Sequence, residues 1–429
     1  MKFIKYSIIF IPIIFIFINF VRIDLNALQD GRILIPMDSS QSNHLKAYGI
    51  VYRSLMKDID SKWLLNFRGG SFLLPNTEII IRDCLLYNVS YEIISKNEIT
   101  NIFQIIENNN MEAIEIKYPP KIAVYTPPDK EPWDDAVTLV LNFAEIPYDT
   151  VWDKEVLNGK LSKYDWLHLH HEDFTGQLGK YHAFYKNASW YIKMYKDSLI
   201  KAKEAGYSTI QEHKTAVAKN IQNYVQSGGF LFAMCAATDT IDIALASDGY
   251  NIVPEEISGL PIEENLQSKL DYTKTFAFKD FKIITDPNIY EFSTIDINIE
   301  KEGLRYNPDT FQLFEFSAKI DSIPSMLTQN HELVIKNFLG QTTGFYEEYI
   351  KNRVTILAKT PNTNRIKYIY STYGEGFFCF YGGHDPEDYR HFVGDPPTDL
   401  SLYPNSSGYR LILNNILFPA SKMKPRKTL

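Results

Sequence analysis

The chain has 429 residues, 45% of them hydrophobic, with only 21 Gly and 21 Pro, which excludes disordered, collagen-like and low-complexity classes. At about 150 residues per domain the length leaves room for roughly one to three domains. Lys+Arg 44 against Asp+Glu 52 gives a net charge of −8, so no positive field draws the chain to nucleic acid, and no nucleic-acid partner is expected.

The N-terminus carries Lys2 and Lys5, an apolar run from Tyr6 to Val21, and Arg22, the layout of an export signal. Residues 1–22 are therefore expected to be a signal peptide or an N-terminal anchor, with cleavage and retention both open. The body is expected to be exported, periplasmic or facing the periplasm, touching the membrane only through this segment. Three cysteines, Cys84, Cys235 and Cys379, cannot all pair with one another, and none forms a CxxC, so neither a disulfide framework nor a zinc knuckle is expected.

After that segment, RILIPMD (Arg32 to Asp38) reads as a strand and Ser42 to Ile59 as a helix with apolar residues at helical spacing. Strands at KWLLNF and SFLLP, a helix at NTEIIIRDCLLYN and a strand at VSYEII continue the alternation, giving a small α/β domain over 31–118. The polar stretch Ile105 to Pro120, with three Asn and a Pro pair, reads as a linker. A second alternating series begins at KIAVYTP (Lys121 to Pro127), with a helix at DDAVTLVLNFAEI and strands at YDTVW and YDWLHLHHEDF. Tyr181 to Gln226 is helical in pattern and stops at Ser227-Gly228-Gly229. The apolar strand FLFAMC (Phe230 to Cys235) runs directly into the helix ATDTIDIALA. An irregular insertion is expected at about 247–330, followed by a hairpin whose second strand, FFCFYGG, delivers His384, a closing helix Ser407 to Pro419, and a basic tail over 420–429.

In an open α/β sheet ligands sit beyond the carboxyl ends of the strands, so the residues there are the candidates for chemistry. Cys235 ends a strand and precedes the small Ala236 and Ala237 and a helix start carrying Thr238 and Asp239. Backbone N–H groups and a helix dipole there would favour a thiolate nucleophile. His384 lies in Gly382-Gly383-His384-Asp385-Pro386-Glu387, with glycines allowing close approach and carboxylates able to orient an imidazole. His168-Leu169-His170-His171-Glu172-Asp173 puts His168 and His170 on one strand face, with His171 and Glu172 at its mouth. That density could ligate a metal, but substrate-contacting or loop-fixing roles are preferred and no metal is expected.

Val225 to Thr240 and Gly376 to Tyr389 resemble the class I glutamine amidotransferase-like superfamily, and within it the trehalose-utilisation-protein-like branch. The resemblance covers roughly Lys121 to Pro419, apart from 247–330. It implies an α/β fold with a flavodoxin-like, mostly parallel sheet, Cys235 as nucleophile, His384 as base, and a carboxylate two residues after that His. Here Glu387 comes three residues after, so Glu387 and Asp385 both stand as the third member. His170, His171, Glu172, Ala236, Thr238, Asp239 and Gly383 would shape the substrate site. The mature chain also looks like exported bacterial proteins labelled asparagine synthetase B, but position 2 is Lys rather than a mature N-terminal Cys. Ser227-Gly228-Gly229 is followed by Phe230-Leu231-Phe232, so there is no pyrophosphate loop either, and no nucleotide or other cofactor is expected. The expected function is hydrolysis or transfer at an amide or C–N bond of a small-molecule or cell-envelope substrate. The alternatives are a non-catalytic carbohydrate- or peptidoglycan-binding module on the same fold, metal-assisted chemistry at the histidines, and the asparagine synthetase of that label.

Overall fold

The computed structural model describes residues 31–128, 135–321, 331–390, 392 and 395–421. The export segment expected at 1–22, and 422–429 of the expected tail, lie outside the described residues. Among the described residues no helix is long and apolar enough to cross a membrane. The fold is mixed α/β.

The N-terminal part is a five-stranded sheet with the order β4-β1-β3-β2-β5, made of β1 (Arg32–Ile35), β2 (Ser61–Leu65), β3 (Ser71–Pro75), β4 (Glu92–Ile94) and β5 (Glu112–Ile116). Every pairing in it is antiparallel. Helices α1 (His44–Leu55), α2 (Glu78–Leu86) and α3 (Lys96–Asn108) accompany it. Asn43 caps α1, and Ser95 with Glu98 closes a capping box on α3. The stretch expected as a linker contains β5, which pairs along β2. In EAIEI, Ile114 and Ile116 are buried while Glu115 is exposed, the alternation of an edge strand with one wet face, and the surrounding asparagines obscured it.

The second sheet has ten strands among the described residues. Its parallel part comprises β6 (Ile122–Tyr125), β7 (Asp149–Val151), β8 (Trp166–Leu169), β9 (Phe230–Met234) and β15 (Gly376–Tyr381), arranged β7-β6-β8-β9-β15. Strands β10 (Thr310–Leu313), β11 (Val334–Lys336), β12 (Phe345–Tyr346), β13 (Thr355–Lys359) and β14 (Arg365–Tyr373) extend it by antiparallel pairing beyond β15. All residues of β6, β8, β9 and β15 are buried, as befits largely apolar strands covered on both faces, with His168 of β8 the polar exception. The covering helices are α4 (Ala136–Ala144), α5 (Asp153–Leu157), α6 (Ser189–Glu204), α7 (Ile210–Gln226), α8 (Ala237–Ala246) and α9 (Ser407–Leu417). Thr209 and Glu212 close a capping box on α7, and Gly228, at φ 111°, turns the chain into β9. From 247 to 309 the described chain holds short helical turns and isolated bridges before β10.

One apolar cluster runs from Ile33 and Trp63 through Leu45 of α1 and Val137 of α4 to Phe230 and Ile412, so the N-terminal sheet and one face of the large sheet share a core. A second cluster, with Leu167, Leu231, Val217 and Ile241, fills the other face. All three cysteines are buried and free.

Candidate functional site at the strand ends

The pairing Trp166 to Phe230 and Phe230 to Phe377 sets β8, β9 and β15 level, so Leu169, Ala233 and Phe380 lie side by side. The residues that follow these strands (His170, Cys235 and His384) therefore gather at one edge. Neighbouring strands are about 4.8 Å apart, so β8 and β15 stand roughly 10 Å from each other with β9 between them. Yet the His170 and His384 rings meet with centroids 4.4 Å apart, and His171 stacks 6.1 Å from His384 at 14°. The intervening strand β9 is followed by Cys235-Ala236-Ala237, side chains small enough to let the two imidazoles reach each other. The ligand-capable atoms of His170, His171 and His384 all lie within 4.8 Å of one another.

Behind His170 stands Asp135. Its Oδ1 caps α4 by accepting from the Val137 and Thr138 N–H groups, and lies 3.4 Å from His170 Nδ1; its Oδ2 lies 3.3 Å from His168 Nε2. Burial alone would raise this carboxyl, but the two imidazoles outweigh it and hold Asp135 well below the usual range. His168 Nδ1 reaches the Phe232 carbonyl at 3.2 Å, which pins that ring between β8 and β9. Asp135 was not among the residues singled out from sequence. The N-cap pattern at the start of α4 was its available signal, but only the fold brings it beneath β8.

Cys235 occupies the elbow expected of it, between β9 and α8, and takes φ 48°, a left-handed conformation costly for a residue with a Cβ. It is 2% exposed. The Gln341 N–H donates to Sγ at 3.3 Å, and the Cys235 N–H donates to the Gly383 carbonyl at 3.2 Å. The Ala237 N–H is committed to the His170 carbonyl at 2.9 Å. Burial pushes the thiol up to about 11, against the opposing pull of backbone N–H groups of Thr342, Gln341 and Ala236. The His384 ring lies beside those of His170 and His171. Thr238 donates back to the Cys235 carbonyl at 2.7 Å, and Asp239 accepts from Thr342 Oγ1 at 3.0 Å, its carboxyl pushed up to about 7 by burial.

The two carboxylates after His384 serve the loop. Asp385 accepts from the Glu387 N–H at 2.8 Å and from Thr398 Oγ1 at 2.8 Å, closing the turn. Glu387 is raised by burial and bonds Ser406 at the start of α9. The close approach that Gly383 permits is taken up by the chain itself: a Cβ there would stand 2.5 Å from the Phe338 ring and 2.6 Å from Lys367 Nζ. Segment 339–343 straps the site, accepting from the His384 N–H at Leu339 and from the Gly383 N–H at Thr342, both at 2.8 Å. Lys367, buried and pushed well below its usual range by that burial, donates to the Phe338 and Thr343 carbonyls at 2.7 and 2.9 Å and anchors the strap. Asp296 does the same at the Thr343 N–H, 2.9 Å away. Neither residue carries a sequence signal, since both act through contacts remote in the chain.

Beside the cluster lies a cavity of about 480 Å³ whose wall includes His171, Glu172 and Asp173, with Trp152, Tyr181 and Trp190 supplying aromatic faces. Burial raises the Glu172 carboxyl to about 8, and its Oε2 accepts from the His170 N–H at 2.9 Å. In the same wall, Lys214 pairs with the buried Asp153 at 2.9 Å. Neither Cys235 nor His384 lines this cavity.

No family model matches the sequence, and no curated protein matches it. Among solved structures the chain is similar to two cytoplasmic proteins of Salmonella typhimurium, STM3548 at 10% identity and STM1381 at 12%. Each alignment covers 70% of this chain, and 97% and 100% of theirs, with TM-scores of 0.33 and 0.35. A β-galactosidase from Bacillus circulans sp. alkalophilus aligns at 9% identity over 63% of this chain and 29% of its own, with a TM-score of 0.26. Likenesses this weak bear on neither activity nor substrate.

Proposed function

We propose that this protein is a hydrolase that cleaves an amide, C–N or related acyl bond of a small-molecule or cell-envelope substrate held in the aromatic-walled cavity. Water attacks at the histidine cluster. The observation that carries this reading is the convergence of His170, His171 and His384 from two strands at the edge of a cavity that His171 and Glu172 line. Such a site suits hydrolysis: water adds its oxygen to the acyl carbon while its proton passes to a group on the wall. The C–N bond then breaks with its electron pair on nitrogen, which takes up a proton, so one water is consumed and an acid and an amine leave.

The order β7-β6-β8-β9-β15 is 2-1-3-4-5 along the chain, the flavodoxin-like order, and supports placing the large sheet with the class I glutamine amidotransferase type. In this reading residues 1–22 direct export and the body works outside the cytoplasm.

One observation favours a second reading, with Cys235 as nucleophile: the positive φ at the elbow, a strain of the kind nucleophile turns hold. Against it stand the buried, protonated thiol and a cavity that does not reach it.

The test is release of ammonia or amine from a panel of glutamine, asparagine, N-acetylated sugars and peptidoglycan fragments by the wild type, His171→Ala and Cys235→Ser. We expect release that falls at least ~100-fold in His171→Ala and stays within about 3-fold in Cys235→Ser. Loss in Cys235→Ser with an acyl adduct trapped on Cys235 in the wild type would transfer the role to the thiol. Quenching of tryptophan fluorescence by a glycan without turnover would make the protein the binding module instead.

A further inference from the structure

We propose that His170, His171 and His384 form a binding site for one divalent transition metal ion of the zinc class, with an open coordination position toward the cavity. Three imidazoles from two strand ends, with ligand-capable atoms within 4.8 Å of one another, offer the nitrogen set that Zn²⁺ accepts at about 2.0–2.1 Å per bond after a small inward adjustment. Neutral imidazole donors without thiolates suit Zn²⁺, Co²⁺ or Ni²⁺ better than Mg²⁺ or Ca²⁺, which take oxygen ligands.

Three further features belong to such a site. First, His170 has a carboxylate behind it: Asp135 Oδ1 lies 3.4 Å from Nδ1, the outer-shell arrangement that orients a ligating imidazole and leaves Nε2 to carry the lone pair forward. Second, His170 and His384 are buried and built into the backbone: the His170 carbonyl accepts from the Ala237 N–H at 2.9 Å, and the His384 N–H donates to Leu339 at 2.8 Å. The two backbones that carry the rings are thereby fixed, which leaves only the side chains to adjust when an ion arrives. Third, His171 is half-exposed and lines the cavity, so an ion held by the three would have a face open to water and substrate.

A second trio, Asp135, His168 and His170, also gathers within 4.8 Å, but neither Asp135 nor His168 borders the cavity, and Asp135 already caps α4 and stands against both imidazoles. An ion there would have no open position. The proposal rests on the proposed hydrolase only for the ion's part in turnover, where it would lower the pKa of a bound water and polarise the acyl oxygen; occupancy of the site stands apart from it.

The experiment is titration of chelator-treated full-length protein with Zn²⁺ by calorimetry, and with Co²⁺ by visible absorption, without substrate. One equivalent per chain, with Co²⁺ bands of four- or five-coordinate nitrogen ligation, is expected. His384→Ala and His171→Ala should each weaken binding at least ~100-fold. Asp135→Asn, an outer-shell change, should weaken it about 10–100-fold at unchanged stoichiometry. His168→Phe should bind as the wild type does. Binding lost in His168→Phe and kept in His384→Ala would move the ion to the second trio and overturn the proposal, as would no binding by the wild type at micromolar protein. Should His384→Ala not fold, the wild type still decides: Zn²⁺ should raise its Tm, and His171→Ala, altered at a half-exposed position, should lose that rise. Zn²⁺ binding without hydrolysis of any panel substrate would uphold the site and reject the hydrolase.

Discussion

The imidazoles of His170 and His384 stand with their centroids 4.4 Å apart although their strands are separated by β9. What sets the first of them in place is Asp135, which works on two structures at once: it caps α4 and backs both His168 and His170. Replacing it with Ala removes a cap worth about 1 kcal/mol and deprives two buried rings of their carboxylate, at about 1–3 kcal/mol in all. We expect Asp135→Ala to lose about 2–4 kcal/mol in urea unfolding and Asp135→Asn, which can still cap, to lose less than half of that. Equal losses would show that the carboxylate does no more for the histidines than an amide does.

Cys235 should behave as an ordinary buried thiol. Burial pushes it up to about 11, and all three cysteines are enclosed. Treated with iodoacetamide at pH 7.5, the native protein should leave Cys84, Cys235 and Cys379 unmodified over a time that labels a free-thiol peptide completely. Labelling of Cys235 should rise only in strongly alkaline buffer. A titration at Cys235 centred below the roughly 8.5 of a free thiol, and lost in His384→Ala, would reinstate the thiolate–imidazole pair.

The elements at the site were legible because their signals are local. FLFAM followed by small residues and ATD is an apolar strand running into a helix start, and the structure has that elbow at Cys235. WLHL followed by His170 and His171 is likewise a strand with a polar mouth. What sequence could not rank was the pairing. Cys235 and His384 follow neighbouring strands, and the His384 ring also lies against the imidazoles arriving from β8, contacts that no local signal announces. The carboxylates nearest His384 in sequence, Asp385 and Glu387, turn to their own loop and to Ser406, while the one that backs the histidines, Asp135, is far away along the chain. Four of the five N-terminal strands were also found in place, β5 being hidden in the expected linker, but the alternation of strand and helix concealed that they pair antiparallel, a property of register that hydrophobic pattern alone does not carry.

Asp242 gives a pH signature. It is buried on α8 and accepts from the N–H groups of Phe276, Ala277 and Phe278 at 2.6, 2.8 and 2.9 Å, yet burial still raises its carboxyl to about 6. A raised folded-state value means that the folded form holds its proton more tightly than the unfolded chain does. The stability this contributes is full below the ordinary 3.8 and is lost as pH rises through about 6. His44 acts in the opposite sense: burial, then the Arg410 charge, lower it to about 4, so its contribution is lost as pH falls from 6.5 to that value. The two offset each other in the wild type, and a difference measurement separates them. The stability of wild type minus that of Asp242→Asn should shrink by up to about 3 kcal/mol between pH 4 and pH 7. A difference that is flat with pH would mean that Asp242 is ionised throughout.

Arg410 joins the N-terminal sheet to the closing helix α9. It is fully buried, and its guanidinium donates to Tyr48 Oη at 3.0 Å, to the Met37 carbonyl at 3.0 Å and to the Gly69 carbonyl, with His331 Nδ1 2.6 Å away. Gly69, at φ 76°, lets that turn come within reach, since a Cβ there would lie 2.1 Å from the Met37 oxygen. His331 in turn stacks on His44 with centroids 4.3 Å apart. Substituting Ala would take the Arg410 donors from the buried Gly69 and Met37 carbonyls and from the Tyr48 hydroxyl, and open a void between the layers. Arg410→Ala should therefore cost about 3–5 kcal/mol, whereas Arg410→Met, which refills the space with an apolar chain, should recover part of it. Chemical denaturation followed by far-UV circular dichroism checks this. If Arg410 tethers the N-terminal sheet, proteolysis of the Arg410→Ala variant under native conditions should cut first within residues 31–118 while the large sheet stays intact. Cleavage spread evenly over both sheets would show instead that they unfold as one unit and that Arg410 contributes to their common stability.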